Sequence, residues 1–273
     1  MSKSAGMTVA IAGLGAIGLT VARALDAGRI PGLSLSAVAV RNQDKAQRAL
    51  ATFKTPPQLA SIDALGKLAD VVIECAPAAV FRAIAESALN RGRIFMPLSV
   101  GQMLTNTDLV DIAAQHGARI VVPSGALLGL DGVRAVSEGK ANSVKIVTRK
   151  PPAGLKGAPW LVEQKISVDG LTAPLCVFAG SARDAIKGFP ANVNVAVALS
   201  LAGIGADQTQ VEIWADPGSK RNAHTIEVTS DSSDFTMTIA GRPSEENPAT
   251  GKITALSVIA ALRRLTAPLV IGT

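Results

Sequence analysis

The stretch MTVAIAGLGAIGLTVARALD, residues 7–26, decides how the first part of this chain folds. Residues 8–12 are apolar and partly β-branched, which predicts a buried parallel strand, and residues 17–25 continue with helical spacing. The glycines Gly13, Gly15 and Gly18 follow the strand in the spacing Gly-x-Gly-x-x-Gly. Between a strand and a helix, this pattern is typical of a turn that binds a dinucleotide. The alternative is a connection that binds nothing.

Each glycine has a separate physical role in such a turn. Gly13 allows the tight turn off the strand, Gly15 lets the backbone approach a pyrophosphate, and Gly18 lets the helix pack closely on the sheet. Ala16 and Ile17 lie at the start of the helix, where the backbone amides and the helix dipole favour negative phosphates. We therefore predict that these five residues bind NAD or NADP.

Composition limits the class of protein. Hydrophobic residues make up 48% of the 273 residues and charged residues 18%, which predicts a folded globular protein. Aromatic residues make up 3%, which disfavours proteins that stack single-stranded nucleic acid on aromatic rings. The net charge of +6 is spread along the chain, which suits small anions better than DNA, although an ordinary basic surface explains most of it equally well. We expect a small-molecule substrate and no nucleic-acid partner.

Cysteine usage and hydropathy predict the compartment. Cys75 and Cys176 lie far apart and form no Cys-x-x-Cys or Cys/His cluster, which argues against a metal site and a disulfide framework. Residues 1–6 are short and polar, so we expect no signal peptide. The most apolar run, residues 192–206, is too short and too interrupted by glycine to span a membrane. We expect a cytoplasmic protein with no membrane partner.

The end of the second predicted strand, residues 33–40, indicates the cofactor. An Asp or Glu usually binds the adenosine ribose at this place. This chain has Arg41 and Asn42 instead, with Lys45 one turn further on. An arginine there can hold the 2′-phosphate of NADP, so we expect NADP to be accepted alongside NAD. The alternative is a solvated arginine at a strand end.

Strands and helices alternate as far as residue 123, with a helix predicted at residues 106–116 and a strand at residues 120–123, and then the pattern changes. Ala76 follows the carboxyl end of the strand predicted at residues 71–75, where cofactor and substrate meet in such folds, so we predict a cofactor contact there. From Ser124 onward the strands carry alternating polarity, residues 151–159 are predicted as an irregular surface loop, and residues 251–264 form an amphipathic helix. We predict an α/β protein with a Rossmann-type domain, residues 1–123 plus 247–273, and a mixed α/β (α+β) domain, residues 124–246.

A histidine near the end of the chain is a candidate acid–base group. His224 follows a loop that contains Lys220, Arg221 and Asn222, just before a predicted strand. A histidine there can exchange protons beside an anionic substrate, which the basic side chains would bind. The alternative is a surface histidine on a solvated basic loop.

Five blocks of sequence are familiar when taken together. They are GLGAIG at residues 13–18, PSGALLGLDG at 123–132, FPANVNVAVALSLAG at 189–203, DPGSKRNAHTIEV at 216–228 and NPATGKITALSVIAAL at 247–262. In this order, and over nearly the full chain, they resemble the L-aspartate dehydrogenase family. The resemblance implies a homodimer whose second domain carries the dimer contacts. It also implies reversible oxidation of L-aspartate by NAD or NADP to iminoaspartate, which hydrolyses to oxaloacetate and ammonia and in some organisms feeds NAD biosynthesis.

The resemblance also assigns residues. It places the catalytic histidine at His224 and cofactor contacts at Ala126 and Asn194, and we predict Ser124 beside the substrate together with Lys220, Arg221 and Asn222. Asn192 and Asn194 lie on different faces of a helix, so only one is expected to contact the cofactor. The hydride transfer needs no metal and no protein nucleophile, because the nicotinamide supplies that chemistry.

Two other functions remain open from the sequence. One is another two-domain NAD(P) reductase, like homoserine or sugar dehydrogenases. The sugar dehydrogenases typically have Lys-Pro after the fifth strand, where this chain has Met96-Pro97. The other is a regulator that senses NADP without turning it over. Such a regulator would lose nothing when His224 is replaced by alanine.

Overall fold

A computed structural model describes residues 6–190, 194–244 and 251–272. These residues form two compact units. One runs to Pro123 and takes in Thr254–Val270, and the other runs from Ser124 to Ile253 and takes in residues 271–272. In the part of the chain that the structure describes, no helix is both long and apolar enough to cross a lipid bilayer.

The first unit is built on a six-stranded parallel sheet. Its strands are β1 (Met7–Ala12), β2 (Leu33–Ala39), β3 (Gln58–Leu59), β4 (Val71–Glu74), β5 (Ile94–Pro97) and β6 (Arg119–Ile120). The spatial order is β3-β2-β1-β4-β5-β6, with β1 between β2 and β4. Residues 9–12 of β1 are buried, because the strands of a doubly wound parallel sheet are covered on both faces. The order reverses beside β1, which is where such sheets bind their ligands.

Five helices join these strands. They are α1 (Ala16–Asp26), α2 (Gln43–Leu50), α3 (Leu65–Leu68), α4 (Phe81–Leu89) and α5 (Leu109–Gln115). The helix α1 packs on the sheet through Val21, Ala22 and Leu25, which are buried with Val9 and Ile11 of β1. The helical spacing of the apolar residues in residues 17–25 therefore correctly predicts the face of α1 that packs on the sheet.

The second unit is built on a mixed five-stranded sheet. Its elements are α6 (Leu130–Ser137), β7 (Ala141–Lys150), α7 (Pro159–Glu163), β8 (Leu175–Ser181), α8 (Ala182–Gly188), α9 (Asn194–Ala202), β9 (Gln210–Ala215), β10 (Ala223–Ser230) and β11 (Phe235–Ala240). The strand order is β11-β10-β7-β9-β8, in which β7 and β9 are parallel and the other pairs antiparallel. The predicted fold class, a Rossmann-type domain followed by a mixed α/β domain, is confirmed.

The last helix, α10 (Lys252–Thr266), packs in the first unit. Val258, Ile259 and Leu262 join the apolar cluster that contains β1 and α1. The Thr266 hydroxyl donates to the Pro31 carbonyl oxygen at 2.8 Å, which ties the end of the helix to the segment before β2. The amphipathic spacing of the segment is explained by this packing.

Three segments differ from the sequence-based expectation. The strand predicted at residues 120–123 is only Arg119–Ile120. The helix predicted at residues 106–116 is only Leu109–Gln115, because Leu109 and Val110 donate to carbonyl oxygens three residues back and so form turns. Residues 151–159 are not an irregular surface loop, since they hold a 3-10 turn at Pro152–Gly154 and bury Leu155.

Candidate active site

The glycine-rich turn is tied to both neighbouring strands. Gly13 has φ of +97°, and a Cβ built on it would overlap the carbonyl oxygen of Cys75. The Gly13 amide donates to the Ala39 carbonyl oxygen at 2.8 Å. A Cβ built on Gly18 would overlap the Gly13 carbonyl oxygen, so any larger residue would push α1 away from the turn. Close packing requires glycine at both positions.

Gly15 has open space around it. It is exposed, its φ of −73° is accessible to any residue, and a Cβ built on it meets no heavy atom within 4 Å. Ala16 and Ile17 are half-buried at the start of α1, and no side chain among the described residues caps this helix. An open backbone beside the positive end of a helix fits a dinucleotide phosphate.

The end of β2 carries an exposed arginine. Arg41 makes no hydrogen bond or ion pair with any residue that the structure describes. Asn42 has a local role, since its side-chain oxygen accepts from the Lys45 amide at 2.9 Å and caps α2. Arg41 and the exposed Lys45 are therefore two side chains at this corner that can bind an added anion.

A buried carboxylate that sequence analysis missed organises the ends of β4 and β5. Glu74 is fully buried at the end of β4. One of its carboxylate oxygens accepts from the Ala76 amide at 2.9 Å and the Ser99 hydroxyl at 3.0 Å. The other accepts from the Leu98 amide at 3.1 Å and the Ser99 amide at 2.8 Å. These bonds fix the loop that contains Ala76, which is half-buried.

Replacing Glu74 by alanine is expected to destabilise the protein by about 3 kcal/mol, because three backbone amides and a hydroxyl lose their acceptor. The free energy of unfolding in urea measures this loss. The matched control is Glu86→Ala, which removes an exposed carboxylate that pairs with Arg82 and is expected to cost less than about 1 kcal/mol. Equal unfolding midpoints for the two variants would contradict the role given to Glu74.

The thiol of Cys75, the residue after Glu74, lies in an environment that disfavours the reactive thiolate. Burial, together with the nearby Glu74 carboxylate, raises the pKa of Cys75 well above its usual range. The thiol therefore stays protonated at neutral pH. Among the described residues, no group of His, Cys, Asp and Glu side chains could hold a metal ion.

The second unit holds the other predicted contacts. Ser124 and Ala126 are half-buried in a turn that Gly125, with φ of +66°, makes possible, and the Leu127 amide donates to the Ser124 carbonyl oxygen at 3.0 Å. Asn194 is exposed in α9, and Asn192 lies outside the described residues.

His224 is a buried strand residue. It is 5% exposed and lies in β10, opposite Thr148 of β7 and Ile239 of β11. Its Nδ1 lies 2.9 Å from the Thr148 hydroxyl oxygen. Within the described residues the ring has no other hydrogen-bond partner, which leaves Nε2 available. The alternative of a surface histidine on a basic loop is wrong, because His224 is a buried residue of β10.

Two polar residues of β7 set the electrostatics around this ring. Burial, and then the positive charge of Lys150, lower the pKa of His224 to about 4. Lys150 is itself only 7% exposed, and burial lowers its pKa to about 8. At pH 7 the imidazole is therefore neutral and the ammonium mainly charged.

Sequence analysis missed Thr148 and Lys150. The sequence does contain a signal for them. Every second residue of β7 from Val144 is buried, and the first two of these positions, Val144 and Ile146, are apolar. Thr148 and Lys150 are the next two, so polar residues stand where the alternation predicts apolar ones. Buried polar residues at such positions mark a functional or strained site.

The loop before β10 presents two exposed cations. Lys220 and Arg221 are exposed, and neither side chain has a hydrogen bond or ion pair within the described part of the chain. The Ser219 hydroxyl donates to the Arg221 carbonyl oxygen at 2.7 Å, and the half-buried Asn222 accepts from the Gly241 amide at 2.9 Å through its carbonyl oxygen. The structure thus brings His224 together with Thr148 and Lys150. Within the described residues, no hydrogen bond or ion pair connects these three to Lys220 or Arg221.

Comparisons with known proteins cover both units. Residues 13–123 match the model of the homoserine dehydrogenase NAD-binding domain, and residues 131–265 match that of the aspartate dehydrogenase C-terminal domain. An L-aspartate dehydrogenase of Bradyrhizobium diazoefficiens is 57% identical over 100% of this chain and 96% of its own length. The chain belongs to the L-aspartate dehydrogenase family. The resemblance inferred from the five sequence blocks and the prediction of an NAD-binding domain are both confirmed.

Further members of the aspartate dehydrogenase family agree with this assignment. L-aspartate dehydrogenase 3 of Bordetella bronchiseptica is 51% identical over the full length of both chains. The crystal structure of the Thermotoga maritima aspartate dehydrogenase shares the fold, with a TM-score of 0.74 over 97% of this chain and 99% of that one, at 24% identity.

Proposed function

We propose that this chain oxidises L-aspartate with NAD or NADP to iminoaspartate, which water hydrolyses to oxaloacetate and ammonia in a reversible reaction. The observation that carries the proposal is the neutral, buried His224 in a chain 57% identical to an L-aspartate dehydrogenase. A proton acceptor that is neutral at pH 7 is what removal of a proton from the substrate amine requires.

The bound dinucleotide supplies the acceptor for the hydride that leaves the substrate Cα. The residues that would hold it are Gly13, Gly15, Ala16, Ile17, Gly18, Arg41, Ala76, Ala126 and Asn194. The open backbone of the glycine-rich turn would let the pyrophosphate approach, and the positive start of α1 would favour its negative charge. Glu74 keeps the Ala76 loop in place through its hydrogen bonds.

His224 moves the proton. Its Nδ1 lies 2.9 Å from the Thr148 hydroxyl oxygen, and in the tautomer in which Nδ1 donates to that oxygen, Nε2 accepts one proton from the substrate ammonium. Loss of the Cα hydride from the resulting neutral amine leaves the protonated imine. Water then adds to the imine carbon and ammonia departs. Ser124, Lys220, Arg221 and Asn222 lie beside the substrate in this proposal, where the two cations attract its carboxylates.

The deciding experiment follows the absorbance of reduced nicotinamide with L-aspartate, in parallel with NAD and with NADP. Activity that is specific to L-aspartate supports the function. If NADPH binds but no amino or hydroxy acid of a test panel is oxidised, the chain is a dinucleotide sensor instead. Oxidation of homoserine or a sugar in place of L-aspartate would assign it to one of the other reductases.

Replacing Arg41 by alanine is expected to raise the KM for NADP about 30-fold and the KM for NAD less than about threefold, because only NADP carries the 2′-phosphate. Steady-state kinetics at fixed ionic strength measure both values. The control is Arg48→Ala, which removes another exposed arginine, from the last turn of α2, and is expected to change neither KM. Equal effects of Arg41→Ala on the two cofactors would refute the contact.

We further propose that the protein is a cytoplasmic homodimer without nucleic-acid partners, and that its iminoaspartate can enter pyridine nucleotide biosynthesis. The family resemblance supports the dimer, and the absence of a cysteine framework in the sequence supports the compartment. Analytical ultracentrifugation of the full chain tests the dimer: one species of the 27.9 kDa protomer mass would overturn it.

A further inference from the structure

The buried face of the second sheet changes from apolar to polar residues along β7 and β10. Val144 and Ile146 of β7 are fully buried and apolar, and the next two inward residues are Thr148 and Lys150. On β10 the same change occurs in register, because His224 lies opposite Thr148. Three polar side chains, each more than nine-tenths buried, are thus gathered at one end of an otherwise apolar face.

Lys150 is the charged member of this group. Around the imidazole, β7 supplies Thr148 and Lys150 and β11 supplies Ile239, and among the described residues Lys150 is the charge that shifts the titration of His224. An anion beside a buried ammonium is held more tightly than one beside an exposed lysine, because the surrounding protein screens the attraction less than water does. Lys150 is therefore better placed to hold a carboxylate than the exposed Lys220 or Arg221.

We propose that Lys150 binds a carboxylate of the amino-acid substrate beside His224. The inference rests on the proposed oxidation of L-aspartate and names a residue of that same site. It assigns one of the two substrate carboxylates to a defined cation.

The arrangement couples substrate binding to proton transfer. In the free protein the charge of Lys150 opposes protonation of His224. A carboxylate bound to Lys150 offsets that charge, so the imidazole becomes a stronger base when the substrate amine is present to give up its proton. A cation that only stabilised the sheet would produce no such coupling.

The kinetic test compares Lys150→Met with Lys145→Met. Lys145 lies on the opposite face of the same strand, where it pairs with Glu212 at 2.8 Å. We expect Lys150→Met to raise the KM for L-aspartate about 100-fold, with the dissociation constant of NADPH unchanged, and Lys145→Met to change neither. Lys150→Arg keeps the charge and is expected to recover most of the affinity. An unchanged KM in Lys150→Met would overturn the proposal.

A second test measures the pKa of the His224 imidazole directly and does not depend on turnover. The chain has two histidines, so histidine-selective isotope labelling gives two ring signals, and His224→Asn assigns them. We expect succinate, a dicarboxylate that the enzyme cannot oxidise, to raise the pKa of His224 in the wild type but not in Lys150→Met or Lys150→Gln. An equal rise in all three, or no rise in the wild type, would overturn the proposal.

The two tests separate the failure of the site from the failure of the proposed function. If the wild type does not oxidise L-aspartate but succinate still acts on His224 through Lys150, the proposed function fails and the carboxylate site stands. If the wild type oxidises L-aspartate while the Lys150 variants keep its KM and its His224 titration, the function stands and this inference fails.

Discussion

Replacement of His224 by alanine lowers kcat with L-aspartate about 1000-fold, while the dissociation constant of NADPH changes less than about twofold. This is the expected result because the imidazole is the buried group whose Nε2 is available to accept the amine proton. The glycine-rich turn, the proposed phosphate-binding segment, belongs to the other unit. Loss of the ring should therefore affect the chemical step and leave cofactor binding intact.

The matched control is His116→Ala. His116 is exposed at the end of α5, where its Nδ1 lies 3.0 Å from the Ile112 carbonyl oxygen, and its removal is expected to leave kcat unchanged. Stopped-flow traces of nicotinamide reduction measure the chemical step, and fluorescence quenching measures NADPH binding. Wild-type turnover in His224→Ala would remove the histidine from the mechanism and favour a regulator that only senses the dinucleotide.

The second large effect concerns the glycines of the dinucleotide turn. Gly15→Ala is expected to weaken NADPH binding about 100-fold, equivalent to about 3 kcal/mol, without lowering the unfolding midpoint. The new methyl group meets no protein atom within 4 Å, so it occupies only the space that the pyrophosphate needs. Gly18→Ala is expected to weaken binding and also to destabilise the fold, because its methyl group overlaps the Gly13 carbonyl oxygen.

Thermal unfolding and NADPH titration together separate these two mechanisms. Gly154→Ala in the second unit is the control, because a methyl group there also meets no atom within 4 Å and lies far from the turn in sequence. It is expected to change neither the midpoint nor the affinity. Wild-type affinity in Gly15→Ala would show that the pyrophosphate does not approach this backbone.

Much of the first unit follows from local sequence. The apolar strand before Gly13, the glycine spacing and the helical continuation are short-range features, and a parallel sheet with its cofactor turn follows from them. The second unit was harder to predict, because α6 and α8 are short and because β8 and β9 owe their form to pairing with residues distant in sequence. Such pairing overrides weak local preference.

The sequence by itself determined the fold class, the dinucleotide turn and the family, because each depends on residue spacing along the chain. It also singled out His224, although its own chemistry allowed a solvated surface position. Only the tertiary structure decided that His224 is buried and neutral, since the register of β10 on β7 brings Thr148 and Lys150 to it from more than seventy residues away. It likewise decided the role of Glu74, whose partners lie on the loops after two adjacent strands. The burial and partners of a charged side chain are properties of the assembled sheet, so composition and periodicity cannot reveal them.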